Sequence, residues 1–531
     1  MLPETTTGST GQTPTPDHEA SQIRALPRPR WAVVTLLACV GYSPLALYAG
    51  QGHVLARGYR LIWYVVAVSL GLSLLAWVVA RFLPVRLATA WFALSLTWLI
   101  LSAGGPLAEN IGGWLLVGLM ALLVAVVLLL DKSRFLDSLM VALTVYLAFS
   151  GISALIDGSD PGDREAGASV LPVAGNVGAP STPDVWFLIL DGYPSETSRV
   201  ADFGGGEDSL ADTLEGEGFV VEGNALAPYT RTVGALPSIL AGTMTFPAGS
   251  VQDEADMVAA AEIVGGESTL VSGLGEIGYH TTMIESGWHL SRCGPAVDTC
   301  IESSLLDEMG SALVSASILP QVIEVDRHVS SMVGTQRTFS VLYDLSTAYA
   351  QNGRPDLVIA HSLAPHPPML LDAECESQGP SPTRSSLLLA FKGWDAALIA
   401  ERAQTFRDQV TCIDSLVRSF VQSLPAETGV VVVGDHGSEI RGQVSVPPLG
   451  WNEAMLRERL QTLAAVRFPG CEPSVRATIE VVPELLSCLG LEVEDPALSA
   501  QIMANVKQAD GSEYPLYEIP PDQVRRLLPP G

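Results

Sequence analysis

Four short stretches of this chain place acidic, imidazole or hydroxyl side chains directly behind apolar runs or beside glycine and proline. The run VWFLIL at 185–190 leads straight into Asp191-Gly192-Tyr193-Pro194. A second run ends at Ala360 and continues as His361-Ser-Leu-Ala-Pro-His366-Pro-Pro. A third, VVVV at 430–433, continues as Gly434-Asp435-His436-Gly437-Ser438-Glu439. Carboxylate oxygen together with imidazole nitrogen is a donor set for one divalent cation of the Zn²⁺ or Mn²⁺ type, and the flanking glycines would let the backbone turn sharply. Taken alone, Asp-His-Gly reads equally as a turn closed by an aspartate hydrogen bond. The fourth stretch, Pro228-Tyr-Thr230-Arg231-Thr232-Val-Gly-Ala-Leu-Pro237, adds hydroxyls and a guanidinium. A threonine hydroxyl becomes a nucleophile at neutral pH only when a metal or a base takes its proton.

The elements that would hold these residues are legible from the apolar patterns. Val185–Leu190, Leu357–Ala360 and Val430–Val433 are short, continuous and β-branched or aromatic, which predicts strands buried on both faces. Phe339–Tyr349 and Phe406–Leu424 show helical spacing. Strands alternating with helices predict an α/β domain with a mostly parallel sheet covered by helices. In open sheets of this kind ligands collect beyond the carboxyl ends of the strands, which is where Asp191, His361, Asp435 and His436 fall.

The ordered set Asp191, Thr230-Arg231-Thr232 with Pro237, and Asp435-His436 resembles the alkaline phosphatase/sulfatase superfamily over residues 183–495. It resembles most its membrane-anchored members, the lipoteichoic acid synthases and the lipid A phosphoethanolamine transferases. The resemblance implies an alkaline-phosphatase-like fold, with Asp191, Asp435 and His436 as ligands of one Zn or Mn ion. It implies that Thr232, opening a helix, is both nucleophile and ligand. His366 would face the substrate phosphate or the leaving group, and His361 and Arg231 are further candidates for binding substrate. The ordinary alternative for Arg231 is a solvated surface side chain. The segment from Ile479 to Leu491 matches the helix that follows the last metal motif of such domains.

Two departures from the family narrow the chemistry. Sulfatases use Cys-x-Pro-x-Arg, whose first residue becomes formylglycine, whereas this chain has Thr232 in that place and Leu236 four positions on. Sulfate ester hydrolysis by that route is therefore not expected. No Asp-x-x-x-His pair stands out for a second, fully formed metal site, so a single ion is expected. The transferases also often carry Glu where this chain has Asp191.

Composition sets the surroundings. The formal charge of −28 argues against a nucleic-acid partner, and no nucleotide-binding glycine loop appears. The 48% hydrophobic content against 16% charged points to a membrane portion. Apolar segments near 31–50, 61–80, 87–103, 113–130 and 136–155 each approach the length that crosses the hydrocarbon core. With the N-terminus inside, Arg24, Arg28, Arg30, Arg81, Arg86, Lys132 and Arg134 lie on the inner side and only Arg57 and Arg60 outside. The organisation expected is a disordered cytoplasmic tail at 1–30, a bundle of five transmembrane helices at 31–155, a tether at 156–182 and an extracytoplasmic catalytic domain at 183–531. Cys293, Cys300, Cys375, Cys412, Cys471 and Cys488 all fall in that outer domain. The simplest pairing joins neighbours, 293 with 300, 375 with 412 and 471 with 488, out of the fifteen connectivities six cysteines allow.

The function expected is a membrane-anchored, metal-dependent phosphotransferase or phosphodiesterase acting through Thr232 on lipid- or glycan-linked phosphate esters of the cell envelope. Its partners would be membrane lipid and an envelope glycan or lipid, and nothing in the sequence speaks to oligomeric state. Hydrolysis of sulfuric or phosphoric esters with water as acceptor is one alternative. A non-catalytic envelope-binding membrane protein is the other. Glu196 and Ser438 are either partners that orient ligands or plain polar loop residues, and His18, His53, His280, His289 and His328 read as structural or exposed.

Overall fold

Continuous apolar runs of β-branched and aromatic residues gain most when both faces of a strand are covered, and this requirement organises the domain. The computed structural model describes residues 171, 173–175, 182–205, 209–250, 254–288, 290–302, 329–348, 354–378, 396–441, 450–493, 502–504 and 516–525. The tail and the five apolar spans read between residues 1 and 155 lie outside the described residues. Among the described residues no helix is long and apolar enough to cross a membrane.

In chain order the elements are β1 (Val173–Gly175), β2 (Val185–Asp191), α1 (Glu196–Ala201), α2 (Leu210–Gly216), β3 (Val220–Leu226), α3 (Thr232–Ala241), α4 (Glu254–Val264), α5 (Thr269–Glu276), β4 (His280–Glu285) and β5 (Thr299–Glu302). There follow α6 (Val329–Ala348), β6 (Asp356–Pro365), α7 (Ala396–Ser423), β7 (Gly429–Gly434), α8 (Glu453–Leu460), β8 (Gln461–Arg467), α9 (Val481–Cys488), β9 (Leu491–Val493), β10 (Met503–Ala504), β11 (Tyr517–Glu518) and α10 (Pro521–Arg525). Serine and asparagine side chains start several of the helices: Ser209 caps α2 in a capping box with Asp212, Ser268 caps α5 and Asn452 caps α8.

Among the described residues seven strands form one sheet in the order β3-β8-β7-β2-β6-β4-β5. β2 runs parallel to both β6 and β7, β4 runs parallel to β6 and β5, and β8 alone runs against the other strands, antiparallel to both β7 and β3. The mostly parallel sheet expected from the sequence is therefore present. The three predicted strands are its centre, and both predicted helices exist, as α6 and α7. Alternate residues of β2 explain its apolar run. Trp186, Leu188 and Leu190 pack with α2, α6 and α7, while Val185, Phe187 and Ile189 pack with α3, α5 and α9 on the opposite face. Each such side chain stabilises the fold by about 1.5–3 kcal/mol relative to exposure.

The reversed β8 has a consequence for the site. A strand antiparallel to β7 must begin at the end where β7 finishes, so α8, which runs directly into β8, lies at the end that carries Asp435 and His436. β1 differs from the sequence reading: Val173–Gly175 falls within the segment read as a tether, yet it pairs antiparallel with β9. Disulfides join Cys293 to Cys300, Cys375 to Cys412 and Cys471 to Cys488, the neighbours proposed from sequence.

Two further contacts position the loop before α3. The Met503 N–H donates to the Pro228 carbonyl at 2.9 Å, and the Thr230 N–H donates to the Met503 carbonyl at 3.1 Å. Tyr229 is fully buried between them, donating to the Phe246 carbonyl at 2.6 Å and accepting from its N–H at 2.7 Å. A Cβ on Gly234 would meet the Tyr229 ring at 2.6 Å, so this position of α3 has room only for glycine.

One buried acid gives the fold a pH dependence. Tyr193, just past the end of β2, donates to Asp414 on α7 at 2.6 Å. Burial raises the Asp414 carboxyl to about 6 against the pull of Tyr193, Arg199 and Arg418, with Glu196 adding to the rise. Because the folded-state pKa lies above the unfolded value, the contribution is complete below about pH 4 and is lost as pH rises through about 6. Between these limits the wild-type chain should lose on the order of 3 kcal/mol of stability from this group. In Asp414→Asn, which keeps an acceptor for Tyr193, that part of the slope should vanish in denaturant titrations at pH 4, 5, 6 and 7; an unchanged slope would refute the assignment.

Candidate active site

The site grows from two adjacent parallel strand ends and one helix start. Leu190 of β2 pairs with Gly434 of β7, so Asp191 and Asp435 leave the sheet side by side. Backbone hydrogen bonds lock them there: the Asp435 N–H donates to the Leu190 carbonyl at 3.2 Å, and Asp435 Oδ1 accepts from the N–H groups of Gly192 at 2.9 Å and His436 at 2.8 Å. Gly192 has a φ of 67°, a left-handed conformation that favours glycine. The glycines around Asp435-His436 serve a different purpose from the sharp turn expected of them. Neither has a positive φ; instead, a Cβ on Gly434 would strike Thr462 Oγ1, and one on Gly437 would strike the Glu458 carbonyl. They let β8 and α8 come close.

α3 brings the hydroxyl. Thr232 is its first residue, so the positive end of the helix dipole opens beside it. Thr232 Oγ1 lies 3.3 Å from Asp191 Oδ1 and 3.1 Å from His436 Nε2. The carbonyl of Gly437 can only accept, so its 2.8 Å contact places a proton on His436 Nδ1. His436 Nε2 is then a bare lone pair, 3.4 Å from Asp435 Oδ2 and 3.7 Å from Asp191 Oδ1.

These atoms fit a cation. One ligand atom from each of Asp191, Asp435 and His436 lies within 4.8 Å of the others. Asp435 Oδ2 is buried and accepts no hydrogen bond, an expensive arrangement for a carboxylate unless positive charge faces it. Burial, with the neighbouring charge of Asp191, pushes the Asp435 carboxyl up to about 8. Burial, reinforced by Arg459 and His366, holds the His436 imidazole well below its usual pKa, in the neutral form that ligates metals. Among the described residues Glu285, Cys293 and Cys300 also cluster, but the two sulfurs are joined in a disulfide.

The remaining sequence candidates fall at different depths. The His366 N–H donates to the Asp191 carbonyl at 2.9 Å, its ring stands edge-on to His436 at 6.3 Å, and its side chain is 31% exposed. Its Nδ1 donates to the Pro367 carbonyl at 2.7 Å, leaving Nε2 4.0 Å from Glu439 Oε1. His361 is enclosed, with Nδ1 3.2 Å from Ser286 Oγ and Nε2 3.9 Å from Asp191 Oδ2. Burial, then the nearby His366, lowers its pKa to about 3, so it stays neutral. Arg231 precedes Thr232, is partly buried, and its charge helps depress the pKa of both His436 and Glu439.

Glu196 lies apart from the cluster's hydrogen bonds and pairs with Arg199 at 2.8 Å. Ser438 donates to Glu458 Oε1 at 2.9 Å, and that same carboxylate accepts from the Ile440 N–H and pairs with Arg441 at 2.8 Å, which pins the loop after Gly437. Sequence reasoning did not single out Glu439 or Arg459. Arg459 donates to the Gly437 carbonyl at 3.0 Å and stands 3.7 Å from Glu439. Burial would raise the Glu439 carboxyl, but Arg459, His366, Arg231 and Arg402 together hold it below its ordinary value. Glu439 was within sight at the end of the Asp435-His436 motif; Arg459 carried no local signal, since only the direction of β8 brings it here.

The family model described as Sulfatase matches residues 183–461. Among solved structures, the chain is similar to the C-terminal periplasmic domain of EcEptC from Escherichia coli in complex with Zn, at 13% identity and a TM-score of 0.38 over 62% of this chain and 87% of that one. It is similar to the phosphonate monoester hydrolase of Agrobacterium radiobacter, at 13% identity and a TM-score of 0.41 over 62% and 82% of the two chains. A third is the lipoteichoic acid synthase LtaP from Listeria monocytogenes, at 14% identity and a TM-score of 0.37 over 64% and 82%. No curated protein matches the chain.

Proposed function

This chain belongs to the sulfatase family, and from that premise we propose that it is a membrane-anchored, metal-dependent phosphotransferase or phosphodiesterase of the cell envelope. The observation that carries this reading is the position of Thr232, whose Oγ1 lies 3.1 Å from His436 Nε2 and 3.3 Å from Asp191 Oδ1. A threonine cannot be converted to the formylglycine on which sulfatases of the resembled kind depend, whereas it can carry a phosphoryl group.

Asp191, Asp435, His436 and Thr232 would hold one divalent ion, Zn²⁺ or Mn²⁺, which when bound lowers the pKa of the hydroxyl and offsets negative charge on the phosphoryl group. Thr232 loses its proton to solvent and attacks phosphorus through Oγ1. The new P–Oγ1 bond forms as the P–O bond to the donor breaks. A doubly protonated His366 gives the departing oxygen the proton on Nε2, while its Nδ1–H stays with the Pro367 carbonyl. An acceptor hydroxyl then returns that proton to His366 and attacks phosphorus, breaking the P–Oγ1 bond. Arg231 and the start of α3 favour the negative phosphoryl oxygens throughout.

The anchor proposed is the bundle of five apolar spans at 31–155, preceded by a cytoplasmic tail at 1–30 and followed by a connecting segment at 156–182. The basic flanks support an orientation with the catalytic domain at 183–531 outside the membrane. An anchored site of this kind suits a phospholipid donor and an envelope glycan or lipid acceptor. The test is full-length chain in vesicles of headgroup-labelled phospholipid, supplied with Zn²⁺ or Mn²⁺ and envelope polymer. Diacylglycerol accompanied by labelled polymer is expected. Release of free head group would establish the hydrolase alternative instead, and a metal-loaded chain with no turnover would leave the non-catalytic one.

A further inference from the structure

Resting on the metal-site reading above, we propose that His361 is a positioning residue for Asp191: its Nε2–H faces Asp191 Oδ2 and holds the carboxylate in the orientation from which it binds the cation. The order β2-β6-β4 in the sheet makes this possible, because a residue on β6 is flanked on one side by the end of β2 and on the other by the turn that follows β4. His361 meets both. Its Nε2 lies 3.9 Å from Asp191 Oδ2, and its Nδ1 lies 3.2 Å from Ser286 Oγ.

The Asp191 carboxylate sets the tautomer: it can only accept, so the imidazole proton sits on Nε2, and Nδ1 accepts from the Ser286 hydroxyl. Ser286 Oγ in turn accepts from the Trp288 N–H at 3.3 Å. The opposite tautomer would set a bare nitrogen against a carboxylate oxygen. The Ser286 N–H is tied to Ser291 Oγ at 3.2 Å, and the Trp288 ring stands edge-on to His361 at 5.8 Å, so the support behind the imidazole is itself fixed. His361 Nε2 is buried and makes no hydrogen bond, at 3.9 Å being in charge–dipole contact with Asp191 and enclosed from solvent. Such a nitrogen is placed to steer a neighbouring carboxylate and not to touch a substrate. Partners of metal ligands typically carry about 10–100-fold of metal affinity.

The experiment is a competitive Zn²⁺ titration of the full-length chain against a fluorescent chelator, with thermal unfolding of each variant without metal. His361→Leu, similar in bulk but with no N–H, should bind Zn²⁺ about 10–100-fold more weakly. His361→Gln, whose amide N–H falls near the place of Nε2, should stay within a few-fold of wild type. Ser286→Ala should weaken Zn²⁺ by less than His361→Leu, and should add nothing in the double variant, because it acts only through the imidazole. Full affinity in His361→Leu overturns the proposal, as does equal loss in the Leu and Gln variants, or additive loss in the double variant. If His361→Leu does not fold, the Gln variant and Ser286→Ala still decide. A wild-type chain that takes up no Zn²⁺ would remove the metal-site reading itself, a result unlike any loss confined to the His361 variants.

Discussion

Thr232→Ala should abolish turnover, by at least about a thousandfold in kcat/KM, while the chain still takes up its divalent ion. Removing a nucleophile leaves only the background that binding and electrostatics supply. Metal binding should survive because Asp191, Asp435 and His436 still present their ligand atoms within 4.8 Å of one another, and the threonine contributes one neutral oxygen to that set. Thr232→Ser keeps the oxygen beside His436 Nε2 and should retain turnover within roughly tenfold, since only a methyl group is lost. The measurement is single-turnover kinetics on a phosphodiester beside elemental analysis of the same preparations. Full activity in the alanine variant would remove Thr232 from the mechanism, whereas loss of metal and activity together would make it a ligand first and a nucleophile second.

Asp435→Ala should do the reverse, losing both the ion and the activity. Asp435 is fully buried and Oδ2 makes no hydrogen bond, so a cation on that side would meet no competing protein donor. A cation bound only to the folded chain stabilises it by about 2.7 kcal/mol at a hundred times its Kd. A chelator should therefore lower the melting temperature of the wild-type chain and leave that of Asp435→Ala unchanged. A chelator response equal in the two proteins would show that the ion, if present, binds elsewhere. Activity that persisted in Asp435→Ala would oblige a different centre altogether.

The fold class could be read from the chain because its signals are local. Val185–Leu190 and Val430–Val433 are apolar at every position, short and β-branched or aromatic, which suits a strand covered on both faces. The candidate ligands followed from the same logic, since Asp191 and Asp435 come directly after those runs. Other features of the site had no such signal. Gly434 and Gly437 look like turn residues in the sequence; their φ values are ordinary, and it is Thr462 and Glu458, brought in by β8 and α8, that exclude a side chain there. Val173–Gly175 looks like tether because three residues carry too little pattern to announce a strand, and the partner β9 lies at the far end of the domain sequence. His361 and His366, five positions apart on one segment, are both sequence candidates for the substrate, and the sheet encloses the first while leaving the second partly open.

By itself, then, the sequence determined the three central strands and two of the helices beside them, which acids, imidazoles and hydroxyl follow them, and where the apolar spans and basic flanks lie. These are properties of neighbouring residues, governed by periodicity and by charge. The tertiary structure alone decided which of these atoms meet. Thr232 and His436 are 204 positions apart and touch because α3 opens where β2 and β7 end. Arg459 reaches Gly437 because β8 runs backwards, and His361 turns its nitrogen to Asp191 because β6 lies between β2 and β4. Strand order and direction are collective outcomes of burying one sheet on both faces, and no local stretch of residues encodes them.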